Sequence, residues 1–296
     1  LYWYMLHDKC QLLGVVCDRK GAINARMTHV LLSSYNKLFQ IPEKNWPLLG
    51  WERDGSYPEN ARVFIDYCDI DNWDTNTTNW IKDSSVWSEK SEIDLNNLPT
   101  GSDLYRKILS DPEIEPHSVT IICIGFMTSL NQFLETEEDQ KLIEEKVKKI
   151  YIMGSHFKHD RYKSKWGYNL GSTSGYAHSV TPKYAAKALA KLQRIHSIEI
   201  IFSPSEVGEY LGRYEITDVV KDFEKNTQFK EEPLYKMYTM TWKKDDGKGH
   251  KVGDPIVDSN QYMWDILPVI ACVEGDSLFS MSTFGRVDIL IQNQDT

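Results

Sequence analysis

The chain has 296 residues, of which 41% are hydrophobic and 26% charged, and its formal net charge is −9. This length can bury a large core, either as one sizeable α/β domain or as two smaller ones. The acidic balance argues against a sequence-independent nucleic-acid surface, which needs clustered Lys and Arg against phosphate. No apolar run approaches the roughly 20 residues of a membrane span.

Short apolar runs alternate with helical patterns along most of the chain. Four runs predict buried strands, at residues 12–17, 119–125, 149–154 and 198–203. Helical patterns lie at about residues 22–39, from about Thr128, and at about 182–195. Strands that are apolar throughout and alternate with helices are typical of a sheet covered on both faces. The sequence therefore predicts the α/β class, with a doubly wound, mostly parallel central sheet and helices on both faces.

Two stretches interrupt this alternation, at about residues 51–100 and 214–258. The first is rich in Asp, Asn, Trp and Pro, and the second is charged and aromatic. The first is predicted to be a long excursion with little regular structure, and the second to contain a solvated turn at residues 243–249. Loops of this length are often functional lids or insertions, and a surface decoration is the equally ordinary alternative.

Two strand ends carry polar or glycine-containing motifs that could form a binding site. At the first, a strand runs through Ile124 and Gly125 directly into a helix, which leaves backbone groups unpaired and directed beyond the sheet. The second strand ends at Gly154 and is followed by a polar passage that reaches Tyr168 and Asn169. An Asn beside an aromatic ring offers a hydrogen bond to a sugar hydroxyl and a stacking face, although a turn Asn is the commoner explanation.

A third motif lies near the C-terminus, where Asp265 opens a strongly apolar helix and Pro268 fits the first turn of that helix. The ordinary interpretation is a helix N-cap, in which carboxylate oxygens accept the free N–H groups. The same carboxylate could present an oxygen to a metal ion. The two interpretations do not exclude each other, and the cap alone is the more common case.

In this order, the motifs resemble the inosine-uridine-preferring nucleoside hydrolase family, and in particular a branch with Trp-Asp where better-known members have His-Asp. The resemblance covers most of the chain except the two excursions. The matching segments are LLGVV (12–16), NA (24–25), VTIICIGFMTSL (119–130), KKIYIMG (148–154), YN (168–169), SPSEVG (203–208) and WDILPV (264–269).

The resemblance implies a calcium-dependent reaction on an N-riboside. In the family, Ca²⁺ at the carboxyl edge of the sheet binds the vicinal hydroxyls of ribose and a water molecule. An Asp acts as base on that water, which attacks the anomeric carbon as the N-glycosidic bond breaks. A hard cation with seven or eight oxygen ligands suits carboxylates and diols and orients the nucleophile.

Five residues of this chain match positions of the family's site. Asp265 matches the C-terminal calcium-binding Asp, and Ile124 matches the residue that gives calcium a backbone carbonyl. Asn169 matches an Asn that hydrogen-bonds the ribose, and Tyr168 is its aromatic neighbour. Trp264 stands where other members have the His that protonates the leaving base; indole cannot serve as that acid, although it can stack on a nucleobase.

The family's hallmark, a leading strand followed by an Asp-x-Asp-x-x-x-Asp-Asp loop, has no match in this sequence. Residues 1–7 resemble the helix that follows that loop, so the catalytic base is expected to be an Asp ahead of Leu1. Residues 1–296 are accordingly interpreted as a single nucleoside-hydrolase-like domain without that strand and loop. Asp18 or Arg19 lies near the pocket, at the end of the first predicted strand.

The primary hypothesis is thus an N-glycosyl hydrolase of nucleosides or related N-ribosides. The alternative is a non-catalytic calcium- or sugar-binding protein on the same fold. An unrelated α/β hydrolase or transferase is disfavoured, because the sequence has no Gly-x-Ser-x-Gly elbow, no Walker-type loop and no Gly-x-Gly-x-x-Gly fingerprint. The resemblance also implies a homo-oligomer, either a dimer or a tetramer. The sequence supports no assignment of a cellular compartment.

Overall fold

A computed structural model of the chain describes residues 4–5, 7–18, 22–53, 95–155, 168–170, 181–210, 213–214, 225, 261–262, 264–275 and 277. The strands of this part are β1 (Gly14–Cys17), β2 (Leu48–Trp51), β3 (Val119–Cys123), β4 (Val147–Met153), β5 (Glu199–Ser203), β6 (Arg213–Tyr214) and β7 (Gln261–Tyr262). Its α-helices are α1 (Ala22–Leu38), α2 (Gly101–Leu109), α3 (Thr128–Phe133), α4 (Glu137–Lys146), α5 (Thr181–Leu192), α6 (Ser205–Tyr210) and α7 (Ile266–Glu274). Short 3-10 turns cover Glu43–Asn45, Leu95–Asn97 and Tyr168–Leu170.

The strands form two parallel groups and one short antiparallel pair. Strand β1 pairs with β2 in parallel, and β3, β4 and β5 form a parallel sheet in that order. Strands β6 and β7 pair antiparallel. Each of the four predicted strands is confirmed, with ends that differ by a few residues. The excursion predicted from about residue 51 falls mainly on residues outside the described part of the chain.

Helices cover both faces of the β3–β4–β5 sheet, as predicted. Successive strand residues point to opposite faces. One face packs with α3, α4 and α5 in a core that includes Val119, Ile121, Cys123, Ile150 and Ile152. The other face presents Ile122, Tyr151 and Ile201 to Ala271 and Cys272 of α7. The α/β class with helices on both sides of a parallel sheet is confirmed. No helix in the described part is both long enough and apolar enough to cross a membrane.

An ion pair between a half-exposed arginine and a buried carboxylate joins α2 to α4 beside this core. The Arg106 guanidinium donates to both carboxylate oxygens of Asp139, at 3.0 and 2.9 Å. Only 4% of the Asp139 side chain is exposed, and Thr136 also donates to it. Burial raises the pKa of Asp139, but the hydrogen bonds from Arg106 and Thr136 outweigh that effect, so the pKa is lowered overall. A bidentate pair of this geometry is a strong link between two helices.

We expect Arg106→Ala to lower the free energy of unfolding by about 2–3 kcal/mol, because it leaves the buried Asp139 without a cation. Asp103→Asn is the matched control, since Asp103 also pairs with Arg106 but its side chain is 55% exposed; it should cost at most about 0.5 kcal/mol. Urea unfolding at pH 7 measures the free energy of unfolding of both variants.

The stabilisation by Arg106 should be present above the ordinary carboxyl pKa and be lost as pH falls through the lowered pKa of Asp139. Equal losses in the two variants would contradict this assignment.

Candidate functional site at the carboxyl edge of the parallel strands

Asn169 connects the carboxyl ends of two neighbouring strands. Its side-chain Nδ2 donates to the backbone oxygen of Ile124, just beyond β3, at 3.0 Å, and to that of Met153, the last residue of β4, at 3.2 Å. Both partners are carbonyl oxygens, so the amide nitrogen must face them and Oδ1 must face away. Oδ1 is therefore the atom of Asn169 available to accept a hydrogen bond from a ligand hydroxyl.

The Ile124 carbonyl lies where the sequence predicts it, at the end of a parallel strand. The prediction that this end is left unpaired was wrong, because Asn169 donates to the carbonyl. A carbonyl oxygen has two acceptor positions, so one donor leaves it able to bind a second partner. Ile124 is itself 42% exposed. Sequence reasoning missed the Met153 carbonyl, because a backbone acceptor leaves no trace in the residue type.

Asp265 occupies the N-cap position of α7, as predicted, but it does not act as a cap. Its backbone is helical (φ −85°, ψ −19°) and its side chain accepts no capping hydrogen bond. A capping residue normally has extended backbone, which turns its oxygens toward the free N–H groups. The cap interpretation was therefore wrong. Although Asp265 is exposed, the surrounding protein partly desolvates its carboxylate and raises its pKa to about 6.

Trp264 fixes the start of α7 against α6, the helix that follows β5. A Cβ placed on Gly208 would lie 2.4 Å from Cδ1 of the indole, so the ring packs directly on the glycine. Because α6 begins just beyond the carboxyl end of β5, this contact places the start of α7 beside the helix that follows that strand. The indole is partly buried. Tyr168 belongs to the 3-10 turn that carries Asn169, and its side chain lies outside the described part of the structure.

Asp18, Glu52 and Ser129 form a second polar group at the carboxyl ends of β1 and β2. The backbone N–H of Ser129 in α3 donates to Asp18 Oδ1 at 2.8 Å, and the Ser129 hydroxyl donates to Glu52 Oε2 at 3.3 Å. Glu52 is only 2% exposed. Burial raises the pKa of Asp18 to about 7; the hydrogen bonds from Ser129 lower it, and the charge of Glu52 raises it further. The sequence pointed to Asp18, but it gave no indication of Glu52 or Ser129.

The cysteines near this group are unsuited to nucleophilic chemistry. Burial raises the pKa of Cys17 to about 11 and that of Cys123 to about 12. A thiol acts as a nucleophile or metal ligand in its ionised form, so neither is reactive at neutral pH. Among the described residues, no three His, Cys, Asp or Glu side chains come close enough together to hold a metal ion.

One solved structure similar to this chain is that of the type III effector protein XopQ complexed with adenosine diphosphate ribose. The match covers 94% of this chain and 78% of that chain, with a TM-score of 0.48 and 14% sequence identity. At that similarity, the likeness assigns no activity to this chain. No protein-family model and no curated protein matches the sequence.

Proposed function

We propose that this protein is an N-ribosyl hydrolase that binds a nucleoside or related N-riboside over Ca²⁺ at the carboxyl edge of the β3–β4–β5 sheet. The observation that supports the proposal best is the bridge from Asn169 to the Ile124 and Met153 carbonyls. The bridge directs Asn169 Oδ1 away from the strand ends, where it can accept a hydrogen bond from a ribose hydroxyl. Ligands of open parallel sheets bind at this edge.

Asp265 and the Ile124 carbonyl are the described groups that would hold the cation. A partly desolvated carboxylate with a raised pKa and no capping hydrogen bond is an oxygen ligand whose charge a cation would compensate. Ca²⁺ takes six to eight oxygens, so the ribose diol, water and further acidic side chains would complete its shell. When bound, Ca²⁺ would orient and activate the attacking water.

The other residues of this edge would position the riboside. Asn169 would orient the ribose, and the aromatic residues Tyr168 and Trp264 would stack on the base. An indole cannot donate a proton to a leaving base, so Trp264 would contribute apolar surface alone. The catalytic Asp expected ahead of Leu1 stays a prediction, as does the homo-oligomer.

The alternative is a protein that binds calcium and a riboside at this edge without turnover. The hydrogen bonds from Asn169 to the Ile124 and Met153 carbonyls would serve binding equally well without turnover. A binding protein needs the contacts of Asn169 and Asp265 but no catalytic base. The two functions therefore share a site and differ in whether ribose is released.

Ribose release from inosine, uridine and nicotinamide riboside by the full-length protein tests the proposal. We expect release from at least one of these with Ca²⁺ present, and loss of release with a calcium chelator, because the metal activates the water. Calorimetric titration with Ca²⁺ and with riboside should accompany the assay. Calcium-dependent riboside binding without ribose release would support the alternative. The absence of calcium-dependent binding would contradict both functions.

A further inference from the structure

We propose that Ser155, which follows the carboxyl end of β4, binds the sugar of the riboside through its side-chain hydroxyl. This inference rests on the proposed function, because it names a further contact of the same site. Ser155 is two residues beyond Met153, whose carbonyl oxygen accepts a hydrogen bond from the Asn169 amide. It therefore lies at the edge of the sheet where Asn169 bridges two strand ends.

Ser155 has a backbone conformation that normally favours glycine. Its φ is +70°, in the left-handed region, where the Cβ of an L-residue crowds the backbone. Among the described residues other than glycine, positive φ also occurs at Asp8, Gln40 and His117. Gln40 lies just after the end of α1, and a left-handed residue commonly ends a helix. Ser155 follows a parallel strand instead, so helix termination does not explain its conformation.

Main-chain hydrogen bonds to the neighbouring strand hold Ser155 in this conformation. The N–H of Gly154 donates to the carbonyl oxygen of Ser203, the last residue of β5, at 3.2 Å. The carbonyl oxygen of Ser155 accepts the N–H of Ser205, at the start of α6, at 3.1 Å. Strained residues that the surrounding structure holds in this way concentrate at binding and active sites, where the strain fixes the direction of a side chain.

The hydroxyl of Ser155 is available to a ligand. It forms no hydrogen bond within the described part of the chain, and the residue is half-buried. Because both strand carbonyls occupy the amide nitrogen of Asn169, that side chain offers the ligand an acceptor alone. A serine hydroxyl supplies the donor that Asn169 lacks, and a sugar hydroxyl can pair with both. Glycine at position 155 would relieve the strain but would lack this donor.

Ser155→Gly and Ser155→Ala separate the hydroxyl from the backbone strain. Both variants lose the hydroxyl, but only glycine relieves the strain. We expect the riboside affinity of the full-length protein to fall about five- to tenfold in both, as for the loss of one hydrogen bond. Tm should rise by about 2 °C in Ser155→Gly alone.

The KM for ribose release from inosine, uridine and nicotinamide riboside measures the affinity, and thermal unfolding measures Tm. Where a riboside is bound without release of ribose, calorimetric titration replaces the KM. Ca²⁺ affinity, titrated without riboside, should be the same in the unaltered protein and in both variants, because the hydroxyl contacts the sugar rather than the cation.

Gln40→Gly is the matched control for relief of backbone strain. Gln40 also has a positive φ, of +53°, but it is exposed and lies between the end of α1 and the start of β2, away from the carboxyl ends of the strands. This variant should raise Tm as Ser155→Gly does and should leave riboside affinity unchanged. A rise in Tm from Gln40→Gly without one from Ser155→Gly would overturn the strained backbone on which the inference rests.

The outcomes separate this contact from the proposed function. Riboside binding that is equally strong in the unaltered protein and in both Ser155 variants would overturn the contact and leave the proposed function standing. A loss of affinity in only one of the two variants would also overturn the contact, because the hydroxyl is absent from both. If the unaltered protein bound none of the three ribosides, the proposed function would be wrong and the contact with it.

Discussion

Asp265→Asn should weaken Ca²⁺ binding at least about 100-fold and abolish calcium-dependent ribose release, while leaving the fold intact. The substitution keeps the size of the side chain but removes a charged ligand, and ligand charge sets the affinity of oxygen sites for Ca²⁺. Stability should not fall, because the Asp265 side chain accepts no capping hydrogen bond. A true cap behaves differently. The Thr100 hydroxyl accepts the N–H of Asp103, so Thr100→Ala should lower the free energy of unfolding by about 1 kcal/mol.

Glu274→Gln is the matched control for the calcium experiment. Glu274 lies at the opposite end of the same helix, α7, where it pairs with Lys9 on the surface at 2.7 Å. This variant removes the same charge from the same helix but should leave Ca²⁺ affinity unchanged. Calorimetric titration measures affinity and thermal unfolding measures stability. Similar Ca²⁺ affinity in both variants would rule out Asp265 as a ligand. Asn caps a helix about as well as Asp, so Asp265→Ala is the variant that tests the cap, and a loss of about 1 kcal/mol in it without metal would restore the cap interpretation.

Gly101→Ala should lower the free energy of unfolding by about 2–3 kcal/mol, because the added methyl group overlaps a packed interior. The new carbon would lie 2.1 Å from the Ser129 hydroxyl oxygen, 2.4 Å from Ser129 Cβ and 2.7 Å from Val16 Cγ1. These atoms belong to a buried residue of α3 and to β1, so α2 must shift to relieve the overlap. The shift would also break the hydrogen bond from Ser129 to Glu52.

Gly125→Ala is the matched control, since a Cβ there meets nothing within 4 Å. It should change stability by no more than about 0.5 kcal/mol, or raise it slightly by restricting the unfolded chain. Urea unfolding measures the free energy of unfolding of both variants. The dependence of that free energy on urea concentration should be compared as well, because it reports changes in compactness. If the two variants lost equal stability, the close contact of α2 with Ser129 would not be a feature of the folded protein.

Local patterns in the sequence predicted the parallel core strands well, because their apolar runs are long enough to stand out. The segments at 119–125, 149–154 and 198–203 each overlap a strand of five or more residues. Strand β2 was not predicted: Leu48–Trp51 has four residues, one of them Gly, and follows a proline. Its strand character comes from pairing with β1, where Gly14 lies opposite Leu48 and Cys17 opposite Trp51. Four residues carry too little periodicity to reveal such a partner.

The candidate site also combines features that the sequence predicted with features that it did not. Asn169 and Asp265 stood out by residue type in a polar loop and at a helix start, and their predicted roles came from the family resemblance. What each side chain does depended on the backbone around it: Asp265 has helical backbone and does not cap, and Asn169 donates to two carbonyls of separate strands. Neither backbone conformation nor a long-range acceptor can be derived from local residue types.

The sequence by itself determined the class of this protein: alternating apolar strands and helices, a sheet covered on both faces, and polar groups at the strand ends. The tertiary structure alone decided which of those groups meet. Asp18, Glu52 and Ser129 lie far apart in the chain, and only the parallel course of the strands and the close approach of α2 bring them together. Secondary structure follows from periodicity over neighbouring residues, whereas contacts between distant residues follow from packing of the whole core.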